Sequence, residues 1–143
     1  MKENLKLLII EDNQGDIFLM QEMLAESIKQ SYEIEVAFSL ASGLKKLNAE
    51  GMDAVLLDLS LPDSNGALDS VQRVREANNQ VPVVVITGNE DEDLGLEAVK
   101  MGAQDYIQKE YLNPYILSRS IQYAIERHQL LLEIEALKQS QNS

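Results

Sequence analysis

The sequence contains no cysteine and a single histidine, His128. The first absence excludes disulfides, thiolate zinc sites and cysteine nucleophiles, and the second excludes metal sites built from several histidines. Basic side chains are scarce as well, since the chain has 12 basic and 24 acidic residues and a net charge of −12. Phosphate backbones and anionic membrane surfaces are bound by clusters of lysine and arginine. We therefore expect no direct contact with nucleic acid or with a membrane surface.

Long hydrophobic runs are also missing. The apolar stretch at residues 7–10 is too short for a signal-peptide core, and no stretch reaches the roughly 18 apolar residues of a membrane span. The chain has only 7 glycines and 3 prolines in 143 residues, which disfavours a fibrous or disordered protein. We expect one cytoplasmic globular domain, large enough to bury a core without disulfides.

Short apolar segments rich in β-branched residues alternate with longer amphipathic segments. The apolar segments predict strands at residues 5–10, 34–38, 54–57, 83–86 and 106–107. The amphipathic segments predict helices at residues 16–28, 40–47, 68–77 and 94–101, and a long final helix from Pro114 onward. Strands that are apolar throughout are typical of a parallel sheet covered by helices on both faces. The order of elements predicts a doubly wound α/β fold of Rossmann or flavodoxin type.

Polar residues stand at the ends of these strands. Glu11 and Asp12 follow the first strand, Asp58 ends the third, Thr87 ends the fourth and Lys109 follows the fifth. Each has an ordinary explanation as a cap, a turn residue or a surface lysine, although a carboxylate after an apolar run needs a partner. Together they supply a nucleophile, oxygen ligands for Mg²⁺, a cation and a hydroxyl donor, as phosphoryl transfer to a carboxylate requires. A nucleotide or flavin would instead require a glycine-rich loop after the first strand.

Four motifs at these positions carry a family resemblance: LLIIEDN at 7–13, LLDLSLPDSNG at 56–66, VITG at 85–88 and GAQDYIQK at 102–109. Over residues 5–127 the sequence resembles the receiver domain of bacterial two-component response regulators, and the chemotaxis receivers in particular. The resemblance implies a flavodoxin-like (βα)5 fold with a five-stranded parallel sheet in the order 2-1-3-4-5 and an extended C-terminal helix. We expect the receiver domain at residues 1–127 and an extension of the last helix at residues 128–143.

The resemblance also implies a phosphorylation site with Mg²⁺ as its cofactor. Asp58 matches the phosphoacceptor of the family. The metal ligands implied for this chain are the carboxylates of Asp12 and Asp58 and the backbone carbonyl of Ser60, with Glu11 acting through a water molecule.

Further roles follow from the same resemblance. Lys109 matches the lysine that neutralises the phosphoryl group, Thr87 the switch hydroxyl, and Tyr106 the aromatic residue that turns inward with it. Ser60 and Asn89 stand where the family tunes its dephosphorylation rate. The alternative for Tyr106 is a half-buried aromatic residue of a strand without a switch role.

The implied function is a signalling switch that catalyses only its own phosphorylation and dephosphorylation. A sensor histidine kinase or a histidine phosphotransfer protein is the expected donor. The surface of the fourth helix, fifth strand and fifth helix would then control a protein effector or an output domain outside this chain. Two alternatives are a pseudo-receiver that binds partners without phosphorylation and a small-molecule phosphatase. The first would lack an acid or the lysine, and the second would have a carboxylate at the position of Ser60.

The sequence departs from the family where Glu110 follows Lys109, because most receivers have a proline there. A cis peptide bond costs about 2.5–4 kcal/mol more than trans before a residue other than proline. We therefore predict that this junction is not cis. Gly95, inside the fourth helix, costs about 1 kcal/mol relative to alanine.

A second departure is the end of the chain. Leu130, Ile134 and Leu137 continue the last helix beyond the expected domain with helical spacing. This pattern is compatible with a homodimer seam, with a linker to an output domain, or with a frayed terminal helix. His128 is interpreted as a histidine on the surface of this helix.

Overall fold

The computed structural model describes residues 4–49, 51–88 and 92–142. The strands are β1 (Asn4–Ile10), β2 (Ser31–Ala37), β3 (Ala54–Asp58), β4 (Val83–Thr87) and β5 (Asp105–Gln108). The helices are α1 (Gln14–Ala25), α2 (Leu40–Ala49), α3 (Ala67–Ala77), α4 (Glu92–Lys100) and α5 (Pro114–Gln141), with a short 3₁₀ turn at Lys109–Tyr111. Every predicted element is present. Asn89, one of the two predicted tuning positions, lies outside the described residues.

The strands form one parallel sheet in the order β2-β1-β3-β4-β5, which confirms the predicted topology. The central strands β3 and β4 are buried at every residue. The edge strand β2 is only partly covered, and its polar side chains alternate with apolar ones. Continuous burial of the central strands is the reason that their sequences are apolar throughout.

Alternate residues of the strands point into two separate cores. Leu8, Ile10, Val55 and Val85 belong to one core, which is closed by α2, α3 and α4. The other core contains apolar residues of α1 and α5 together with Leu7, Ile9, Leu56 and Val84. Helices therefore cover both faces of the sheet, as the doubly wound fold requires.

Side-chain caps fix the starts of two helices that flank the strand ends. Asn13 Oδ1 accepts a hydrogen bond from the backbone N–H of Asp16 at 2.9 Å at the start of α1. Asn113 Oδ1 accepts one from Ile116 at 2.8 Å, directly before Pro114 in the first turn of α5. The predicted end of α1 at residue 28 is wrong. The helix ends at Ala25, because the next backbone N–H groups bond in tighter turns to Met23 and Leu24, and Ile28 is 99% exposed.

The chain passes from β5 to α5 through the 3₁₀ turn, and no cis peptide bond occurs among residues 4–49, 51–88 and 92–142. The predicted trans junction between Lys109 and Glu110 is confirmed. None of the helices in the described ranges is long and apolar enough to span a membrane.

The first half of α5 packs on the sheet, and the second half extends away from it. Leu117, Ile121 and Ala124 are fully buried, and Ser120 Oγ donates a hydrogen bond to Asp105 Oδ2 at 2.6 Å. The interpretation of His128 as a surface residue is wrong, since the side chain is only 6% exposed. It lies against the backbone of Gln80, because α5 passes the loop that precedes β4 at this point.

Candidate functional site

Asp58 is the last residue of β3 and is only 2% exposed. On the neighbouring strand β1, Ile10 pairs with Leu57 of β3. The residues that follow these two, Glu11 and Asp58, therefore lie side by side at the same edge of the sheet. Glu11 is 1% exposed, and its backbone N–H donates to the carbonyl of Ala37 at 3.0 Å. The parallel register therefore brings two buried carboxylates together at the carboxyl edge of the sheet.

Asp12 completes an acidic cluster with these two residues. One carboxylate oxygen from each of Glu11, Asp12 and Asp58 lies within 4.8 Å of the other two. Asp12 is exposed, so the cluster opens to solvent on its side. Oε1 of Glu11 accepts a hydrogen bond from the backbone N–H of Asn13 at 3.0 Å, whereas its Oε2 has no hydrogen-bond partner. This oxygen faces the ammonium group of Lys109 and lacks a hydrogen-bond donor.

Burial and repulsion perturb the ionisation of Glu11. Burial, with a further contribution from the nearby negative charge of Asp58, raises the pKa of Glu11 to about 7. The N–H of Asn13 and the charge of Lys109 act in the opposite direction. Two buried carboxylates in contact store an electrostatic cost that a bound cation would relieve.

Lys109 is the cation that the structure brings to this cluster. Its Nζ lies 2.7 Å from Asp16 Oδ2, 3.4 Å from Glu11 Oε2 and 3.6 Å from Asp58 Oδ1. Burial alone would lower the pKa of Lys109, but the hydrogen bond to Asp16 and the charges of Asp58 and Glu11 raise it well above its usual range. The side chain is 28% exposed and remains charged.

Thr87 ends β4 one residue beyond Ile86, which pairs with Asp58. The threonine is 1% exposed, and its Oγ1 has no hydrogen-bond partner among the described residues. An unpaired buried hydroxyl is uncommon in a folded protein, and this one has hydrogen-bonding capacity for a ligand or a water molecule. Ser60 lies in the exposed turn after β3.

Tyr106 lies away from the acidic cluster, on β5 opposite Val85 of β4. The tyrosine is half-buried, and its ring occupies the space next to Gly95 of α4. A methyl group on Gly95 would lie only 2.3 Å from Cδ2 of the ring. The observed position of the Tyr106 ring therefore requires that residue 95 has no side chain.

Sequence reasoning missed two acids that position this site. Asp16 holds Lys109, and a signal existed, because Asp16 stands one helical turn after Asp12 in EDNQGD. Asp63 accepts hydrogen bonds from the backbone N–H groups of Leu40 and Ala41 at 2.9 and 3.0 Å. These bonds lower the pKa of Asp63 and tie the loop after Asp58 to the start of α2. No local sequence signal marks that long-range contact.

The family model of the response regulator receiver domain matches residues 7–120 of this chain. The chain belongs to the response regulator receiver domain family. Receiver domains of response regulators act in two-component signalling as switches rather than as enzymes, and they partner with kinases and effector domains. They bind Mg²⁺ at an acidic pocket, and this receiver domain has an acidic cluster at the corresponding edge.

Curated relatives of this receiver domain are about one-third identical to it. The transcriptional regulatory protein DltR of Streptococcus agalactiae is 31% identical over 115 residues, which cover 80% of this chain and 50% of DltR. The response regulator ArlR of Staphylococcus saprophyticus is 32% identical over 114 residues, with the same coverage of each protein, 80% and 50%. The chain thus spans about half the length of the curated relatives it matches.

Solved structures show the same fold. A CheY-like response regulator receiver domain from Methanospirillum hungatei JF-1 aligns over 87% of this chain and 96% of its own, with a TM-score of 0.74 and 22% identity. NtrX of Brucella abortus, solved in complex with ADP, aligns over 92% of this chain and 29% of its own, with a TM-score of 0.80 and 25% identity.

Proposed function

We propose that Asp58 accepts a phosphoryl group from a histidine kinase or a histidine phosphotransfer protein, and that this event switches the surface formed by α4, β5 and α5. The observation that carries the proposal is the contact of Lys109 with Asp58 and Glu11 inside a cluster of three carboxylates. The acids and the lysine that a pseudo-receiver would lack are all in place. The small-molecule phosphatase has no support, because Ser60 stands where it would need a second carboxylate.

The donor set fits Mg²⁺. Magnesium prefers hard oxygen ligands and is commonly held by one or two carboxylates, water and a phosphate. Glu11 Oε2 and Asp58 Oδ1 are buried without a hydrogen-bond partner, and exposed Asp12 leaves the cluster open for water and phosphate. We assign Asp12, Asp58 and the backbone carbonyl of Ser60 as direct ligands and Glu11 as a ligand through water. When bound, Mg²⁺ would supply positive charge to the acids and to the incoming phosphoryl oxygens.

In the proposed reaction, a carboxylate oxygen of Asp58 attacks the phosphorus of a phosphohistidine on the donor. The O–P bond forms as the donor's N–P bond breaks. The imidazole nitrogen keeps the electron pair of the broken bond and takes up a proton. Lys109 offsets the charge of the phosphoryl oxygens, and Thr87 Oγ1 donates a hydrogen bond to one of them.

The proposed switch uses Thr87 and Tyr106. Thr87 Oγ1 has no hydrogen-bond partner among the described residues, so a phosphoryl oxygen on Asp58 would draw this side chain inward. Tyr106 is half-buried on the edge strand β5, and its ring packs against Gly95 of α4. A change at Asp58 would therefore reach α4 and β5 through these two side chains.

The phosphodonor is expected to bind next to α1. Phe18 and Leu19 of this helix are 64% and 46% exposed, and they lie within one turn of Asp16, which contacts Lys109. Exposed apolar side chains beside a reactive carboxylate provide a docking surface for a protein donor. The identity of the kinase is not encoded in any motif of this chain.

Intact-mass spectrometry after incubation with acetyl phosphate and Mg²⁺ tests the acceptor. We expect the wild type and an Asp93→Asn variant to gain one phosphoryl group, and Asp58→Asn to gain none. Asp93 is a suitable control because it is an exposed acid on α4. The new adduct should be removed by hydroxylamine, as an acyl phosphate is.

Gain in the Asp58→Asn variant would show that another residue is the acceptor. If no protein gains mass, a beryllofluoride titration followed by NMR distinguishes rapid self-dephosphorylation from an inactive site. Binding with shifts at α4 and β5 would support the proposal. No binding, or binding that leaves α4 and β5 unchanged, would overturn the site or the switch, respectively.

A further inference from the structure

The last part of α5 carries apolar side chains that are exposed to solvent. The final buried residue of the helix is His128, and residues 129–141 continue it for about 20 Å. Leu130, Ile134 and Leu137 are 49%, 47% and 63% exposed. Such a row of exposed aliphatic side chains marks an interaction surface.

This row lies on the side of the helix opposite to the sheet. Ile121, Ala124 and His128 form the buried face, and at 100° per residue Leu130, Ile134 and Leu137 lie on the other side. A partner could therefore pack against the exposed row without contacting or displacing the sheet. Tyr123, which is 53% exposed, lies one heptad before Leu130 and extends the same face toward the domain.

We propose that the occupant is the α5 segment of a second copy of this chain, packed parallel and in register from Tyr123 to the end of the helix. The spacing of four and then three residues makes Leu130 and Leu137 d positions of a heptad and Ile134 an a position. A β-branched residue at a with leucine at d favours two strands rather than three or four. The seam formed by Tyr123, Leu130, Ile134 and Leu137 thus specifies a dimer.

Charge complementarity specifies the orientation of the pair. In this register Glu133 is a g position and Lys138 is the e position that follows it. A parallel dimer brings Glu133 of each chain beside Lys138 of the other, twice by symmetry. An antiparallel dimer would bring g positions beside g positions, which are Glu126, Glu133 and Ser140 here, and the Glu133–Lys138 pairing would be lost.

The seam is short, but its helix is already formed. A free peptide of this length would have to nucleate a helix, which is unfavourable for short segments. Here α5 is anchored by Leu117, Ile121 and the Ser120–Asp105 hydrogen bond, so the extension only has to continue it. Arg127 occupies an a position but bonds to the carbonyl of Gln104 at 3.0 Å, and it therefore weakens rather than prevents pairing.

The dimer does not require the proposed phosphorylation, because Leu130, Ile134 and Leu137 are already exposed in the unphosphorylated chain. We expect Asp58→Asn to dimerise as the wild type does. Failure of the seam and failure of the phosphoacceptor are therefore separate results.

Sedimentation equilibrium of the full chain is the first test. We expect reversible monomer–dimer association, weakened about tenfold or more by Ile134→Gln, because each dimer loses two buried aliphatic side chains. Ala136→Gln, which places the same side chain at an exposed position turned away from the seam, is the matched control and should associate as the wild type does. Circular dichroism verifies that both variants are folded.

Charge reversal tests the orientation. Glu133→Lys and Lys138→Glu alone should each weaken the dimer, and the double variant should restore it. Because the chain has no cysteine, a single Gln141→Cys variant tests the register directly. It should form a disulfide-linked dimer readily, whereas Gln139→Cys on the outer face should not.

A wild type that remains monomeric up to about 1 mM would overturn the proposal. So would an association that Ala136→Gln weakens as much as Ile134→Gln does. Crosslinking through residue 139 rather than 141, or no rescue by the double charge reversal, would overturn the parallel register.

Discussion

Because Tyr106 packs closely on Gly95, we expect the residue at position 106 to decide whether Gly95→Ala stabilises or destabilises the fold. In an exposed helix, Gly→Ala stabilises the folded state by about 0.5–1 kcal/mol, because alanine has the better helix propensity. In this chain the new methyl group would lie 2.3 Å from Tyr106 Cδ2. Forcing an extra carbon into a packed site costs about 1–3 kcal/mol. We therefore expect Gly95→Ala to lower the free energy of unfolding by up to about 2 kcal/mol.

The same substitution should be stabilising once the ring is gone. In a Tyr106→Ala background the methyl group meets no ring, and Gly95→Ala should raise the free energy of unfolding by about 0.5–1 kcal/mol. The coupling energy between the two positions should be about 1–3 kcal/mol, within the range found for residues in contact. Urea unfolding of the wild type, the single variants and the double variant, followed by circular dichroism, measures all four values.

Equal effects of Gly95→Ala in both backgrounds would refute this reasoning. They would show that the Tyr106 ring swings out of the way at no cost. The same four proteins also test the switch, because a ring displaced from Gly95 in advance should reduce the change at α4 on beryllofluoride binding.

Three further predictions concern other parts of the molecule. Asp16→Asn should speed labelling by acetyl phosphate up to about fivefold, because Lys109 loses its exposed partner and offers more positive charge to the anionic donor, whereas Glu22→Gln should have no effect. Burial lowers the pKa of His128, so the unfolded chain binds its proton first, and the contribution of this histidine to the free energy of unfolding should fall as pH drops below about 6.5. His128→Gln should remove that part of the pH dependence in urea titrations. Gly102 has a φ of 113°, so Gly102→Ala should cost about 1–3 kcal/mol, measured against Gly51→Ala.

Each of these three predictions would be contradicted by a specific outcome. Slower labelling of Asp16→Asn would mean that this acid positions the lysine for catalysis instead of competing for it. A difference in stability between the wild type and His128→Gln that is constant from about pH 8 to pH 5.5 would show that the histidine is accessible to solvent. Equal stability of the two glycine variants would show that the turn at residue 102 relaxes.

The sequence was sufficient to predict the sheet because its central strands are apolar throughout. Residues 54–57 and 83–86 have no polar face, and only a parallel sheet with helices on both sides buries them completely. The acids and the lysine at the strand ends were predictable for the same reason, since parallel strands all end at one edge. The ends of the helices were less predictable. Helix α1 ends at Ala25 through backbone hydrogen bonds of the residues that follow, and no helix-breaking residue marks this position in the sequence.

Contacts between distant segments were not predictable from local patterns. His128 is buried because α5 passes the loop before β4, and nothing within the helix sequence reports that neighbour. Asp63 caps α2 from a loop 22 and 23 residues away, so its partners are visible only in the folded chain. The roles assigned to Thr87 and Tyr106 stay predictions until a phosphorylated state is examined.

The two edge strands, β2 and β5, limit how copies of this protein can associate through their sheets. An open sheet ends in rows of unpaired backbone groups, which can recruit a strand from another molecule and start aggregation. Here β2 carries Glu33 and Glu35, and the latter pairs with Lys46 at 3.4 Å. The opposite edge, β5, is only 4 residues long. The charge on β2 and the short length of β5 both oppose the addition of a strand from another molecule. A concentrated solution should therefore resist fibril formation even if the α5 helices associate.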